Sequence, residues 1–170
     1  MKPSASETQS HSSGLVIRNA QESDLLQVMH INRTCLPENY SYGFFLRLLR
    51  DYPAAFLVGE IEGRVVGYVM CRIERTMSRI EKLRARKTGH IISVAVLPEH
   101  RRRGLALDMM TRVLQVLKQT YGCAETYLEV RVSNKEAAEL YEKLGYVIVS
   151  RERSYYIDGE DAYIMARSLK

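Results

Sequence analysis

Cysteine and long apolar runs are both scarce in this sequence, and each shortage excludes a class of protein. The 170 residues include three cysteines, Cys35, Cys71 and Cys123, an odd number without a Cys-x-x-Cys pair. This spacing argues against a disulfide framework and against zinc, so we expect no metal and a reducing compartment, the cytoplasm. No apolar run approaches the roughly 20 residues of a membrane span, so we expect no membrane partner.

The start of the chain lacks the features of a secretory signal. Residues 1–14 are rich in serine and have no apolar centre. We expect them to form a disordered tail, and residues 15–170 to form one domain that buries a hydrophobic core. The net charge of +5 suits nucleic acid, but an anionic cofactor or a ribosome surface would explain it equally well.

The spacing of apolar residues predicts an α/β protein with the element order β-α-α-β-β-β-α-β-α-β-β. We expect strands at 15–19, 55–61, 65–73, 89–96, 126–132, 146–154 and 162–167. We expect helices from residue 23 or 24 to 35, and at 42–50, 106–121 and 135–144. The polar and basic stretch 74–87 is expected to have weak helical character.

The run Arg101-Arg102-Arg103-Gly104-Leu105-Ala106 joins an apolar strand to a helix. The first N–H groups of a helix have no partner inside it, and the helix dipole adds positive charge there. Gly104 and Ala106 let a phosphate come close to these groups. The run lacks the Gly-Lys-Ser/Thr ending of a Walker loop and two glycines of the dinucleotide fingerprint. Taken alone, a basic helix start on the surface explains it as well.

The pattern Arg-x-x-Gly-x-Ala resembles the pyrophosphate loop of the GNAT acetyltransferases, and the element order is that of the GNAT fold, a mixed sheet with helices on both faces. Leu-Pro-Glu-Asn-Tyr at 36–40 and Asp-Gly-Glu-Asp-Ala-Tyr at 158–163 narrow the resemblance to the protein N-terminal acetyltransferases. These include the archaeal enzyme, which is the most similar, the eukaryotic NatA catalytic subunit and, more distantly, bacterial RimI. The stretches 89–96 and 127–146 are similar to the same enzymes.

The resemblance implies transfer of acetyl from acetyl-CoA to the α-amine of protein N-termini that start with Ser, Ala, Thr or Met. The amine attacks the thioester directly, without an acyl-enzyme. The residues implied in cofactor binding are Val94, Ala95, Val96, Arg101, Arg102, Arg103, Gly104, Leu105, Ala106, Asn134 and Tyr141. A simple helix N-cap is the alternative for Asn134.

Proton transfer needs only a modest base, because the pKa of an α-amine is about 7.7–8.0 whereas that of lysine is about 10.4. By resemblance, His90 and Glu129 carry proton transfer and Glu38 positions the substrate. The alternatives are a hydrogen-bonded strand histidine, an ion pair of Glu129 with Arg131, and a solvated loop carboxylate. Residues two apart on a strand lie about 6.6 Å apart, so a Glu129–Arg131 pair would not be tight. The sequence does not rank the three candidate bases.

Further roles follow from the same resemblance. Tyr141 would protonate or hold the leaving sulfur, unless it is a core tyrosine, and the backbone N–H of Val96 would bind the oxyanion. The residues implied in the peptide groove are Leu36, Pro37, Glu38, Tyr40, Tyr155 and Tyr156. Because adjacent strand residues point to opposite sides, we expect one of Tyr155 and Tyr156 to face the core.

Two other functions stay open at this stage. The same fold could acetylate a small amine or lysine, although the 36–40 and 158–163 stretches argue against it. Alternatively, the basic stretch 79–87 and the arginine loop could bind a ribosome or nucleic acid, and ribosome contact could coexist with catalysis. We expect no specific nucleic acid, and a solvated basic helix is the default for 79–87.

Overall fold

The computed structural model describes residues 14–170, in which seven strands form one mixed sheet of order β1-β2-β3-β4-β5-β7-β6. The strands are β1 (Leu15–Asn19), β2 (Phe56–Ile61), β3 (Arg64–Met77), β4 (Ala85–Val96), β5 (Glu125–Arg131), β6 (Val147–Glu152) and β7 (Ala162–Ser168). The helices are α1 (Leu25–Cys35), α2 (Tyr42–Asp51), α3 (Leu105–Gln119) and α4 (Lys135–Lys143). The expected tail lies outside the described residues, apart from Gly14.

The α/β class and the expected order of elements are confirmed, but the expectation for 74–87 is wrong. β3 continues to Met77 and β4 begins at Ala85, so most of this stretch is a long antiparallel hairpin. Glu125 stabilises the turn of this hairpin. The Glu125 carboxylate accepts a hydrogen bond from Ser78 and, at 2.8 Å, one from the Arg79 N–H. Pairing with a neighbouring strand therefore outweighs the weak helical preference of the segment.

Helices cover both faces of the sheet and bury two apolar layers. On one face, side chains of α3 and α4 such as Met109 and Tyr141 pack against Ile91 of β4. On the other, side chains of α1 and α2 such as Phe45 pack against Tyr68 of β3. No helix within residues 14–170 is long and apolar enough to cross a lipid bilayer.

The parallel strands β4 and β5 separate at the middle of the sheet. They pair only where Thr88, Gly89 and His90 of β4 meet Glu125, Thr126 and Tyr127 of β5. Beyond this point β4 continues beside β3 and β5 continues beside β7. A bulge at Ile92 lies where the strands part, and bulges bend a strand. A gap therefore opens at the carboxyl ends of two parallel strands, which is where open α/β sheets bind ligands.

Candidate active site

The loop before α3 has the backbone of an anion site. Gly104 is the N-cap of α3 with a φ of 81°, and Arg102 has a φ of 61°. The Asp108 N–H donates to the Gly104 carbonyl at 2.9 Å. The N–H groups of the residues between them therefore have no acceptor inside the helix. Together with the helix dipole, this arrangement suits a phosphate group.

The three arginines of the loop have different surroundings. Arg101 Nε donates to the Val96 carbonyl at 2.8 Å, so its side chain bonds the loop to the end of β4. Arg102 is exposed and lies 3.2 Å from Glu136 of α4. Arg103 is also exposed. All three arginines are thus exposed, and Arg101 is in addition bonded to β4.

The end of β4 presents backbone groups to the gap, where the Val96 carbonyl already accepts from Arg101. The Leu97 N–H donates to the Val66 carbonyl at 2.9 Å, towards β3. Successive residues of a strand point their backbone groups to opposite edges, so Val96 and Val94 point theirs towards the gap. An extended ligand can pair with such an edge as an added strand. The gap and the anion loop together fit a long ligand that carries both amide groups and phosphates, such as acetyl-CoA.

His90 and Glu129 meet where β4 and β5 begin to part. His90 Nε2 lies 2.7 Å from Glu129 Oε2, and both side chains are largely buried, with 11% and 17% exposed. Their neighbours Ile91, Leu128 and Val130 pack into the α3–α4 layer. Because side chains alternate along a strand, His90 and Glu129 lie on the α1–α2 face.

Three residues that the sequence analysis did not single out, Tyr127, Glu74 and Arg79, complete this cluster. Tyr127 stacks on His90 with ring centroids 4.1 Å apart, and its hydroxyl donates to Glu74 Oε2 at 2.7 Å. Arg79 covers the Tyr127 ring at 3.3 Å. Burial alone would raise the pKa of Glu74, but hydrogen bonds from Tyr127 and Arg72 hold it below its ordinary value. The β-branched residues Ile73 and Thr76 were the available local sign that β3 continues.

Arg131 at the end of β5 joins two loops. Its guanidinium donates to Glu38 and, at 2.8 Å each, to Asp158 and Glu160. It also lies 4.0 Å above the Tyr156 ring. Burial would lower the pKa of Arg131, but these carboxylates raise it, so the side chain stays charged. Glu38 is therefore ion-paired, and the argument against a tight Glu129–Arg131 pair agrees with this geometry.

The loop after α1 is held by hydrogen bonds with Asn32, a residue that the sequence analysis also missed. Asn32 is fully buried, and its Nδ2 donates to the Glu38 carbonyl at 3.1 Å. Its Oδ1 accepts from the Tyr40 N–H at 3.3 Å. Leu36 packs against the α1–α2 layer, and the Pro37 carbonyl accepts from Asn39 at 3.2 Å. The shape of the 36–40 loop is thus fixed by its own amides and by α1.

Three tyrosines surround the two carboxylates Glu38 and Glu129. Burial is the main cause that raises the pKa of Tyr40, and the charge of Glu38 adds to it. Burial is also the main cause that raises the pKa of Tyr155, and there the charge of Glu129 adds to it. The expectation that Tyr155 or Tyr156 faces the core is wrong. Tyr155 is 49% exposed, and Tyr156 lies under Arg131 rather than in an apolar layer. Both follow the end of β6, so the alternation of strand side chains does not apply to them.

Tyr141 and Asn134 lie on the other face of the sheet, with α4. Tyr141 is buried in the α3–α4 layer, with its ring edge-on to Tyr146 at 5.9 Å. Burial raises the pKa of Tyr141, so its hydroxyl keeps its proton at neutral pH. Asn134 is the N-cap of α4, and its Oδ1 accepts from the Ala137 N–H at 3.2 Å.

Two of the proteins that are similar to this chain in sequence are described as acetyltransferases. An N-alpha-acetyltransferase of Sulfurisphaera tokodaii is 49% identical over 154 residues, or 90% of this chain and 92% of that protein. The N-terminal acetyltransferase A complex catalytic subunit NAA10 of Arabidopsis thaliana is 42% identical over 156 residues, or 91% of this chain and 78% of that protein.

A solved structure is also similar to this chain, both in fold and in sequence. The crystal structure of Ard1 from Thermoplasma volcanium has a TM-score of 0.79 with 32% identity, and the match covers 91% of this chain and 97% of that one. A model of the acetyltransferase (GNAT) family matches residues 25–146. That match spans more than half of the chain, which therefore belongs to the GNAT acetyltransferase family.

Proposed function

We propose that this protein transfers the acetyl group of acetyl-CoA to the α-amine of protein N-termini. The observation that carries the proposal is the buried His90–Glu129 pair, 2.7 Å apart, at the point where β4 and β5 separate. It lies on the α1–α2 face, whereas the anion loop leads into α3 on the opposite face. An amine on one side can thus meet an acyl donor on the other through the gap.

The acetyl donor is acetyl-CoA, as for the acetyltransferases of this family. Its thioester supplies the acetyl group and a thiol leaving group with a pKa near 8.5. Backbone groups of Val94 and Val96 would pair with the pantetheine arm. The N–H groups at 102–106 would hold the pyrophosphate. Asn134 Nδ2 faces no competing acceptor among its described contacts, which leaves it available beside the arm.

His90 and Glu129 are the proposed acid–base pair. A carboxylate and an imidazole that share a hydrogen bond can take up the proton which the amine loses on attack. Glu38 is instead proposed to position the substrate, since its carboxylate already accepts from Arg131. Tyr141 is proposed to hold the leaving sulfur with a hydrogen bond from its hydroxyl, which the burial-raised pKa keeps protonated.

The substrate class proposed is a peptide that starts with Ser, Ala, Thr or Met. The side chains around Glu38 and Glu129 offer apolar walls with polar tips, which suits the grip on a peptide main chain. The proposed groove residues are Leu36, Pro37, Glu38, Tyr40, Tyr155 and Tyr156.

A peptide panel read by mass spectrometry tests the proposal. Acetylation of the α-amine of Ser-, Ala-, Thr- and Met-starting peptides is the expected result. Acetylation of internal lysine or free small amines alone would overturn it in favour of the alternative acceptor. Rate–pH profiles of the Glu38→Ala, His90→Ala and Glu129→Ala variants on a Ser-starting peptide then assign the base.

Contact with the ribosome in the cytoplasm is proposed as the setting of this activity. Exposed Lys82 and Arg84 in the turn between β3 and β4 support it, because clustered cations attract nucleic acid phosphates. Co-sedimentation with ribosomes over a salt series tests this proposal. Binding should weaken steeply as salt rises, and a K82A/R84A variant that binds as well as the wild type would contradict it.

A further inference from the structure

One buried side-chain amide bonds the backbone of two residues of the proposed peptide groove. Asn32 of α1 is fully buried, and its Nδ2 donates to the Glu38 carbonyl at 3.1 Å. Its Oδ1 accepts from the Tyr40 N–H at 3.3 Å. Because both bonds are to the main chain of the 36–40 loop, the Asn32 amide determines where the Glu38 and Tyr40 side chains start.

The Tyr68 hydroxyl binds the second N–H of the same amide. It lies 3.1 Å from Asn32 Nδ2, and a side-chain amide has two N–H donors, so both are used. Tyr68 lies on β3 and is fully buried, with its ring edge-on to Phe45 of α2 at 6.2 Å. Burial raises the pKa of Tyr68 to about 12, so the hydroxyl keeps its proton at neutral pH.

These contacts define one orientation of the Asn32 amide. Turning it over would place Oδ1 against the Glu38 carbonyl and Nδ2 against the Tyr40 N–H. Two acceptors would then face each other, as would two donors, and buried polar groups without partners are costly. The amide therefore supports the loop in only one of its two orientations.

Ser93 of β4 completes the network because of the bulge at Ile92. Ser93 Oγ lies 2.7 Å from the Tyr68 hydroxyl, and Ile92 has no partner in the register of β3 with β4. Side chains alternate along a regular strand, so without this extra residue Ser93 would face the α3–α4 layer, as Ile91 does. The bulge thus turns Ser93 towards Tyr68.

We propose that Asn32 and Tyr68 are positioning residues for the peptide substrate: Asn32 sets the shape of the 36–40 loop, and Tyr68 sets the Asn32 amide. This rests on the proposed function. Both residues are fully buried, so neither touches the peptide. They act on peptide binding only through the places of Glu38 and Tyr40.

The variant Tyr68→Phe tests this role gently, because it removes one hydroxyl and keeps the ring beside Phe45. The Asn32 amide loses an acceptor, and the loop should then populate other shapes. Peptide binding would have to select the competent shape, which weakens it in proportion to the population lost. The KM for a Ser-starting peptide should rise about five- to tenfold. The kcat and the KM for acetyl-CoA should stay unchanged.

The variant Asn32→Leu removes the amide itself and should raise the peptide KM at least as much. The double variant Asn32→Leu/Tyr68→Phe should resemble Asn32→Leu alone, because Tyr68 acts through Asn32. Effects on KM that multiply in the double variant would show that the two residues act independently, and would overturn the proposed order.

Hydrogen exchange of the Tyr40 N–H gives a second measurement, which needs no peptide. In the wild type this N–H should be protected from solvent, and Asn32→Leu should remove most of the protection. A wild-type Tyr40 N–H that exchanges as fast as in an unstructured peptide would overturn the proposal without any variant.

Tyr146→Phe is the matched control, since the Tyr146 hydroxyl is also buried and lies 3.1 Å from Thr126, but in the α3–α4 layer. It should leave the peptide KM unchanged. A folded Tyr68→Phe protein with the wild-type peptide KM, or with an equal rise in the KM for acetyl-CoA, would overturn the positioning role but not the proposed function. Conversely, a wild type that acetylates no α-amine would end the proposed function, while the exchange of the Tyr40 N–H would still test Asn32.

Discussion

Arg131 Nη2 donates to Glu38 Oε1, and this contact joins two chain segments that are 93 residues apart in sequence. The same guanidinium holds Asp158 and Glu160 at 2.8 Å each, and only 15% of the Arg131 side chain is exposed. One arginine therefore fixes both the 36–40 loop and the connection between β6 and β7. These are the two segments whose sequences indicate a peptide acceptor.

Replacing Arg131 by alanine should loosen both walls of the proposed groove. Three carboxylates would then repel one another without a central cation, and loss of charged hydrogen bonds should cost about 2 kcal/mol in the free energy of unfolding. We expect the KM for a Ser-starting peptide to rise about tenfold, which corresponds to about 1.4 kcal/mol. Acetyl-CoA affinity should stay unchanged.

Urea unfolding, steady-state kinetics and calorimetry measure these three effects. Arg151→Ala is the control, because Arg151 forms an exposed pair with Asp161 at 2.7 Å on the same hairpin. Exposed pairs contribute little to stability, so this variant should behave like the wild type. Equal KM values for Arg131→Ala and wild type would show that the guanidinium does not shape the groove.

Local patterns in the sequence were enough to predict most of the fold. Period-3.6 apolar faces gave the four helices, and the Asn134 cap and Gly145 stop gave the bounds of α4 to within a residue. His90 and Glu129 were each identified as candidates by resemblance. The structure adds that their side chains meet, which depends on how β4 and β5 pair.

What could not be predicted depends on contacts between distant residues. Glu74 was assigned to a weakly helical stretch, and only the pairing of β3 with β4 brings it to His90. The Arg131–Glu38 contact leaves no local pattern, because neither residue constrains the backbone near the other. The bulge at Ile92 likewise becomes visible only in the register of β3 with β4.

Replacing Gly104 by valine should abolish acetyl-CoA binding. The φ of Gly104 is +81°, which a β-branched residue adopts only with strain, and the added side chain would enter the open space beside the loop. Calorimetric titration with acetyl-CoA measures the loss. Gly63→Val is the matched control, since Gly63 also has a positive φ of +77° and open surroundings, but in the β2–β3 turn. Unchanged affinity in Gly104→Val would refute the placement of the pyrophosphate.

Replacing Tyr141 by phenylalanine should separate a chemical role from a packing role. Burial is the one cause that raises the pKa of its hydroxyl, with no contribution from a hydrogen bond, so its removal should leave the Tm unchanged. We expect kcat to fall about 10- to 100-fold if the hydroxyl stabilises the leaving thiolate with a hydrogen bond. Tyr146→Phe is the counterpart, because the Tyr146 hydroxyl lies 3.1 Å from Thr126. It should lower the Tm and spare kcat, and an unchanged kcat in Tyr141→Phe would assign Tyr141 to the core alone.

Replacing Glu160 by glutamine should make the thermal stability of the protein less dependent on pH in the acidic range. Hydrogen bonds from Ser133, followed by Arg131, lower the pKa of Glu160 from 4.5 to about 2. A lowered pKa means that the carboxylate stabilises the fold above pH 4.5 and that this contribution is lost as pH falls towards 2. The wild type should therefore have the higher Tm near neutral pH, and the difference from Glu160→Gln should shrink between pH 4.5 and 2. Thermal unfolding by circular dichroism follows both proteins across this range, with Glu139→Gln on the exposed face of α4 as the control. A Tm difference that is the same at every pH would show that Glu160 acts by shape rather than by charge.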